Sequence, residues 1–182
     1  MEMPDEAKAV LNFWFNETSS ERWWQKDPAF DHHIRQEFSA LHKAATMNEL
    51  FPWRHTIRGR LAEIIVLDQF SRNIYRGKAR AFSHDAHALC LAQEAIRCAD
   101  HGELRVDEKA FLYMPFMHSE SLVIHEEARR LFSEPGLEEH LRYEEAHRAL
   151  LVRFGRYPHR NSVLDRVSTR EELAYLANHA DF

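Results

Sequence analysis

The feature that most constrains this chain is the recurrence of apolar residues at helical spacing behind clear helix starts. Asp27 and Pro28 suit the N-cap and first position of a helix, and apolar residues follow every three or four positions: Phe30, Ile34, Phe38, Leu41 and Ala45. The chain has only 5 Gly and 6 Pro among 182 residues, too few for an all-β fold rich in tight turns. The sequence therefore predicts an all-α protein.

The remaining helix boundaries follow from capping residues. Thr56, Ser83 and Asp107 are expected to start helices, Gly155 to end one, and Ser168 to Glu171 to form a capping box. Pro115 should kink or divide the helix that contains it. Connections are short, so neighbouring helices should pack antiparallel in one all-helical domain over residues 1–182.

Composition narrows the classes of protein. Apolar residues make up 45% of the chain, no run approaches the ~18 residues of a membrane span, and residues 1–10 do not resemble a secretory signal. Cys90 and Cys98, eight residues apart on one helix, are too far apart for a disulfide and are expected to be buried thiols. These features predict a cytoplasmic protein without a membrane partner.

Charge is distributed unevenly along the chain. The formal net charge is −5, yet residues 54–80 and 148–170 each sum to +5. A nucleic-acid-binding protein is more often basic as a whole, so we expect no nucleic-acid partner. Two basic segments in an acidic protein favour a local site for an anion, and 19 of the 24 basic residues are Arg, the better bidentate partner for carboxylate or phosphate. A GC-rich genome is the alternative explanation of the Arg bias.

Three blocks of sequence are specific enough to indicate a family: residues 67–77 (LDQFSRNIYRG), 111–120 (FLYMPFMHSE) and 153–161 (RFGRYPHRN). With Phe13-Trp14-Phe15 and Ser168-Thr169 they span nearly the whole chain, which resembles the bacterial family called domain of unknown function 924. Ser71 and Arg170 stand where the family more often has proline. The resemblance implies a tetratricopeptide-like, right-handed superhelix of antiparallel helix pairs, and it implies no activity.

In the first block, Asp68, Arg72 and Arg76 are spaced four apart and share a face of a continuous helix. One interpretation is that Asp68 orients Arg72, which binds a ligand together with Asn73 and Arg76. The other is a structural network of ion pairs, because such networks also occur where Arg is half-buried.

In the second block, His118 is the natural acid or base near neutral pH, and Glu120 could orient it. Residues two apart do not share a helix face, so both can serve one site only where the backbone is irregular. The alternative is a core histidine whose ring nitrogens are satisfied by Glu120 or by the backbone.

In the third block, Arg153, Arg156, His159 and Arg160 lie around a helix C-terminus, with Asn161 beyond. Cations there stabilise the free carbonyls and the helix dipole, which accounts for about two of the three arginines. The remaining Arg, with His159, suits an anion clamp on a loop.

Metal and cofactor motifs are weak in this sequence. His84 and His87 lie three apart, and Glu144 and His147 form a single Glu-x-x-His, whereas a di-iron bundle needs two such motifs and two further carboxylates. No phosphate loop or dinucleotide fingerprint is present. We expect neither a metal nor a cofactor.

Three hypotheses remain open. In the first, an Arg- and His-lined pocket binds an anionic small molecule, a carboxylate or phosphate, and acid–base catalysis at His118 or His159 would make the protein an enzyme. In the second, a tetratricopeptide-like module binds an acidic peptide or a C-terminal carboxylate. In the third, the three blocks only hold helix pairs together.

Overall fold

The computed structural model describes residues 2–99 and 101–179, and in that part of the chain every regular element is helical. The all-α prediction is therefore confirmed. The α-helices are α1 (Asp5–Asn12), α2 (Pro28–Thr46), α3 (Ile57–Ile65), α4 (Ser71–Ile74), α5 (Asp85–Cys98), α6 (Val106–Met117), α7 (Leu122–Phe132), α8 (Glu138–Phe154) and α9 (Arg170–Asn178). None of these helices has the length and apolarity needed to span a membrane.

Short π-helical and 3₁₀ segments join several of these elements. Two π-helical segments, Phe13–Glu17 and Val66–Phe70, continue α1 and α3 directly. The 3₁₀ segments are Ser20–Trp23, Phe51–His55, Ala79–Ala81, His101–Glu103 and Pro158–Arg160. Because α3, the π segment and α4 follow without a break, they form one irregular helix from Ile57 to Ile74, which carries residues 67–74 of the first block.

Several helix ends are confirmed. The Asp27 carboxylate accepts from the backbone N–H groups of Ala29 (2.9 Å) and Phe30 (3.2 Å), and Thr56 Oγ1 accepts from Gly59 N at 3.0 Å. Gly155 follows α8 with φ of 72°, the left-handed conformation that glycine adopts without strain. Local capping chemistry thus fixes the starts of α2 and α3 and the end of α8.

Two capping predictions are wrong. Ser83 does not cap α5, which begins at Asp85, because the Ser83 hydroxyl donates to the Arg80 carbonyl instead. The capping box lies one residue later than predicted, at Thr169 and Glu172. Both registers read Ser/Thr-x-x-Glu, and the buried Glu172 decides between them.

The interruption expected at Pro115 lies further along the chain. Helix α6 continues through Pro115 to Met117, and α7 begins only at Leu122. The break therefore occupies residues 118–121, which leaves His118 and Glu120 on irregular backbone.

The two cysteines are exposed, so the prediction of buried thiols is wrong. The buried face of α5 is formed by Ala88, Leu91, Ala92 and Ala95, and Cys90 and Cys98 lie outside that stripe. Small alanines pack this helix closely, and the larger thiols are turned outward.

The chain groups into two compact units: Met1–Arg76 with Arg80–Pro115, and Gly77–Ala79 with Phe116–Phe182. A single domain over residues 1–182 stays a prediction, and each unit is described by itself. The first unit has an aromatic core in which the ring centroids of Phe38 and Phe70 lie 4.7 Å apart and those of Trp14 and Phe111 lie 5.5 Å apart.

The second unit is built on a helix hairpin. Arg129 pairs with Glu145 and Arg148 with Glu126, at 2.6 and 2.8 Å. Since later residues of α7 meet earlier residues of α8, the two helices are antiparallel. Beside them Tyr157, Leu150 and Leu151 form a small core.

Candidate functional site

The first block begins on the π segment, and its charged side chains form a network of ion pairs and hydrogen bonds. Asp68 is buried, and its Oδ1 lies 3.2 Å from Arg72 Nη1, so the predicted pair is present. The Arg72 guanidinium also donates to both oxygens of Asp85, at 2.9 and 3.0 Å. Gln69 Nε2 donates to the other Asp68 oxygen at 2.7 Å. One guanidinium therefore lies between two carboxylates.

The rest of the block is fastened to α2. Asp31 Oδ1 accepts from Asn73 Nδ2 at 2.8 Å, and Arg76 donates to both Asp31 oxygens, at 2.5 and 2.8 Å. The hydrogen bonds that Arg76 donates to Asp31 raise the pKa of Arg76 above its usual value. Arg35, also on α2, donates to the Ile74 carbonyl at 2.9 Å. Through these contacts, Asn73 on α4 and Arg76 in the turn after it hold this part of the chain against α2.

A buried histidine completes this network. His42 Nε2 lies 2.7 Å from Ser71 Oγ, and Ser71 Oγ donates to the Leu67 carbonyl at 2.6 Å. The serine oxygen must then accept the proton of His42 Nε2. Burial, with the nearby His84 and Arg80, lowers the pKa of His42 to about 4, so the ring is neutral near pH 7.

In the second unit, side chains hold the irregular segment that follows α6. The last carbonyls of a helix lack partners within it. Here three successive carbonyl oxygens accept from side chains: Met117 from Tyr157 Oη (2.6 Å), His118 from Arg160 Nη2 (3.0 Å) and Ser119 from His125 Nε2 (2.8 Å). The backbone that carries His118 is thus fixed by three side-chain bonds, two of them from residues at least 40 positions away in sequence.

Glu120 is fixed from the same direction. Its Oε1 accepts from Tyr157 N at 2.7 Å, and Arg166 donates to both carboxylate oxygens, at 2.7 and 2.9 Å. Burial raises the pKa of Glu120, but the bonds from Arg166 and Tyr157 N outweigh it and leave the pKa below its usual value. Glu120 is therefore a carboxylate near neutral pH, able to orient other groups but not to supply a proton.

Behind this segment lies a buried His–Glu pair. His125 Nδ1 is 2.6 Å from Glu144 Oε1, and both side chains are fully buried. Glu144 Oε2 has no hydrogen-bond partner among the described residues. Burial raises the pKa of Glu144. Because His125 Nε2 donates its proton to Ser119 O, the short bond at Nδ1 lets the carboxyl share a proton with the ring.

Imidazole rings lie around the aromatic ring of Tyr157. The ring centroids of His147 and His159 each lie 5.5 Å from that of Tyr157, and the Arg160 guanidinium carbon lies 4.8 Å from it. Burial, with the nearby His118, His159 and His125, lowers the pKa of His147 to about 3. We call His118, His147, His159 and Arg160 the histidine cluster.

The other residues of the third block hold α9. Arg153 Nε donates to Glu171 at 2.8 Å, and Arg156 donates to both oxygens of Glu172, at 2.7 and 2.8 Å. The bonds from Arg156 lower the pKa of Glu172 to about 2. These two arginines bind carboxylates of α9.

Asn161 is buried in the loop after Arg160, and both ends of its side-chain amide are hydrogen-bonded. Its Nδ2 donates to Ser168 Oγ at 3.0 Å, and its Oδ1 accepts from Arg166 Nε at 2.9 Å. Asn161 therefore positions Arg166, which in turn holds Glu120.

The structure thus brings His118, Glu120, His159, Arg160 and Asn161 together in the second unit. Asp68, Arg72, Asn73 and Arg76 form their network in the first. Among the described residues, no group of three or more His, Cys, Asp or Glu side chains is arranged to hold a metal ion. Glu144, considered with His147 because of its spacing, bonds His125 instead.

Sequence reasoning missed several partners: Asp31, His42, Asp85, His125, Glu144 and Arg166. Each lies far along the chain from the group it bonds, or on another helix, so no local spacing marks it. Tyr157 was inside a recognised block but was not singled out. A buried polar residue on an otherwise apolar helix face, as His125 is on α7, was the one available signal.

Comparison with known proteins agrees with the resemblance. A family model described as a bacterial protein of unknown function (DUF924) matches residues 10–180. A solved structure of a protein of unknown function from Agrobacterium tumefaciens superposes with a TM-score of 0.91 at 37% sequence identity, covering 96% of this chain and 98% of that one. No curated protein matches the chain. The chain belongs to the bacterial DUF924 family.

Proposed function

We propose that the protein binds a small anion, a carboxylate or a phosphate, at the histidine cluster. The observation that carries the proposal is the set of three side-chain bonds to the carbonyls of residues 117–119, which fix the backbone at His118. Binding sites of this kind need groups held in place before the ligand arrives. Arg160 supplies a permanent positive charge, and His118 and His159 supply donors.

Acid–base catalysis extends the proposal. His118 is the candidate proton carrier, and His159 is stacked on the Tyr157 ring. Glu120, ionised and fixed by Arg166, orients the segment and does not exchange protons near pH 7. His147 is neutral there and can accept or donate one hydrogen bond without adding charge.

The first experiment is a thermal-shift series with inorganic phosphate, succinate and citrate on wild type, His118→Ala and His159→Ala. A ligand at 100 times its Kd adds ~2.7 kcal/mol, a shift of roughly 5–10 °C for a chain of this size. His32→Ala is the matched control, because His32 is exposed on α2 in the other unit. The shift should persist in the control and shrink in both cluster variants.

An unchanged shift in both cluster variants would place the ligand elsewhere. No shift with any of the three anions in wild type would reject the proposal for these ligands. Catalysis would need a further result, a turnover lost in His118→Ala while the anion still binds.

The second candidate is a tetratricopeptide-like module for an acidic peptide. The antiparallel α7–α8 hairpin is the kind of helix pair from which such a superhelix is built, which supports this candidate. The arginines that would grip the peptide, however, already bond carboxylates: Arg72, Arg76, Arg153 and Arg156. An acidic peptide that binds more tightly than the three small anions would reverse our preference.

A further inference from the structure

Two of the cavities lined by described residues of the first unit share part of their walls. One has a volume of about 280 Å³ and the other of about 420 Å³, and Met3 and Arg58 line both. None of the residues discussed above as site candidates lines either cavity. They are therefore independent of the histidine cluster and of the Arg72 network.

Arg58 is aimed by a buried carboxylate. Its Nη1 lies 2.6 Å from Glu108 Oε1, and the Glu108 side chain is only 2% exposed. The other oxygen, Oε2, accepts from Arg105 N at 2.9 Å, which pins Glu108 to the start of α6. The anchor is thus rigid, while the Arg58 side chain remains 42% exposed where it lines the cavities.

The bonding of Arg58 differs from that of other arginines in the unit. Arg54 binds both oxygens of Glu63, at 2.6 and 2.7 Å, and Arg76 binds both of Asp31. Arg58 donates to its carboxylate through Nη1 alone. In the described part of the chain its Nε and Nη2 groups bond no protein atom. These two groups can therefore each donate a hydrogen bond to one oxygen of a bound carboxylate.

The smaller cavity carries further positive charge. Lys8 and Arg105 line it with Arg58 and Glu108. Arg105 pairs with Asp107 at 2.9 Å, and both of these side chains are partly exposed. Lys8 pairs with Glu2 and Asp5, whose side chains are 85% and 96% exposed. Such exposed pairs contribute little and exchange readily with other anions.

The rest of that wall is partly apolar and otherwise uncharged. Met3, Leu11 and Phe15 line the cavity together with the amides of Asn12 and Asn16. Methionine adapts its shape to irregular neighbours, so the boundary between the two cavities at Met3 can yield to a longer ligand. A charged end and an apolar wall in one small cavity suit an amphiphilic ligand.

We propose that the smaller cavity is a second binding site, for a carboxylate that bears a short hydrocarbon chain. The carboxylate binds Arg58 with support from Lys8 and Arg105, and the hydrocarbon lies against Met3, Leu11 and Phe15. The site does not depend on the function proposed for the histidine cluster.

Hexanoate is the probe, with hexylammonium and inorganic phosphate for comparison, in thermal-shift and calorimetric titrations of the full chain. Hexanoate should raise the Tm, hexylammonium should not, and phosphate, which lacks the apolar part, should bind at least ten-fold more weakly. Arg58→Gln should weaken hexanoate at least ten-fold. His118→Ala and the surface variant Arg130→Gln should bind it as wild type does.

Arg58→Gln leaves Glu108 buried beside an uncharged group, and that variant could lose its fold. Lys8→Glu tests the same site from its exposed rim and should also weaken hexanoate at least ten-fold. Equal shifts from hexanoate and hexylammonium, or full hexanoate affinity in Lys8→Glu, would overturn the proposal. Loss of hexanoate binding in His118→Ala would move the ligand to the histidine cluster.

Discussion

His125 Nδ1 lies 2.6 Å from Glu144 Oε1 in the second unit, with no exposure of either side chain. The pair crosses from α7 to α8, and the far nitrogen of the same ring donates to the Ser119 carbonyl. A single histidine thus joins a helix pair to the segment that carries His118. This relationship makes the charge of the pair testable.

Replacing Glu144 should show whether the His125–Glu144 pair is an ion pair or a hydrogen-bonded pair without net charges on its two members. Glutamine has the same size, and its amide can donate to Nδ1, so Glu144→Gln should cost about 1 kcal/mol or less. Glu144→Ala, which leaves a cavity and an unbonded ring nitrogen, should cost about 3–5 kcal/mol. Urea unfolding of both variants measures the difference. Equal losses in both would show that the native pair is an ion pair.

His42 should make the protein less stable in mild acid. Its pKa is about 4 in the folded chain and near 6.5 when unfolded, because burial disfavours the charged ring. The unfolded chain therefore binds a proton between these values and the folded one does not, so stability falls as pH decreases from 6.5 to 4. The loss is roughly 3 kcal/mol at most.

Urea midpoints for wild type and His42→Gln, recorded from pH 7 to pH 4, check this dependence. Glutamine can keep the donor to Ser71 and does not titrate, so the variant should show a shallower slope. His147 has a pKa lowered to about 3 and adds a slope of the same sign, which His42→Gln leaves in place. Identical slopes for wild type and variant would contradict the prediction.

Glycine at position 59 is required by a close backbone approach. A Cβ there would lie 2.0 Å from the Trp53 carbonyl oxygen, so the turn Phe51–His55 would have to move away from α3. Gly59→Ala should cost more than about 3 kcal/mol despite the better helix propensity of alanine. Gly155→Ala is the matched comparison: nothing lies within 4 Å, and only its φ of +72° is strained.

The two glycine variants should therefore lose different amounts of unfolding free energy. Gly155→Ala should cost about 1 kcal/mol, from the left-handed backbone alone. Chemical denaturation of both, at one pH, gives the comparison. A Gly59 variant as stable as the Gly155 variant would mean that the Trp53 turn is free to shift.

Local chemistry explains which parts could be predicted from the sequence. Asp27, Thr56 and Gly155 act on neighbours within four residues, so the local sequence predicts their roles at helix ends. The Asp68–Arg72 pair was predicted for the same reason, since its spacing of four survives the passage from π to α geometry. The capping box shows the limit, because two registers were equally good locally.

Long-range partners explain what was missed. Arg76 bonds Asp31, 45 residues away, and Glu120 bonds Arg166, 46 residues away. Spacing linked Glu144 to His147 on the same helix, but the packing of α7 on α8 gives it His125. Such choices depend on tertiary contacts that periodicity does not encode.

Variants of Arg72 test whether the first block stabilises the fold or binds a ligand. Its side chain is 18% exposed, and its guanidinium pairs with the buried Asp68 and with Asp85. Removing it in Arg72→Ala leaves a buried carboxylate without its cation, which should cost about 3–5 kcal/mol. Arg130→Ala, an exposed pair with Glu127, should cost less than about 0.5 kcal/mol.

Arg72→Lys refines the comparison, because it keeps the charge and loses the two-point contact with Asp85. We expect an intermediate loss of about 1–2 kcal/mol. Unfolding free energies for the three variants should therefore fall in the order Arg130→Ala, Arg72→Lys, Arg72→Ala. If Arg72→Ala were as stable as Arg130→Ala, the network would not be holding the fold. Arg72 would then be held there for a ligand, as the sequence pattern first allowed.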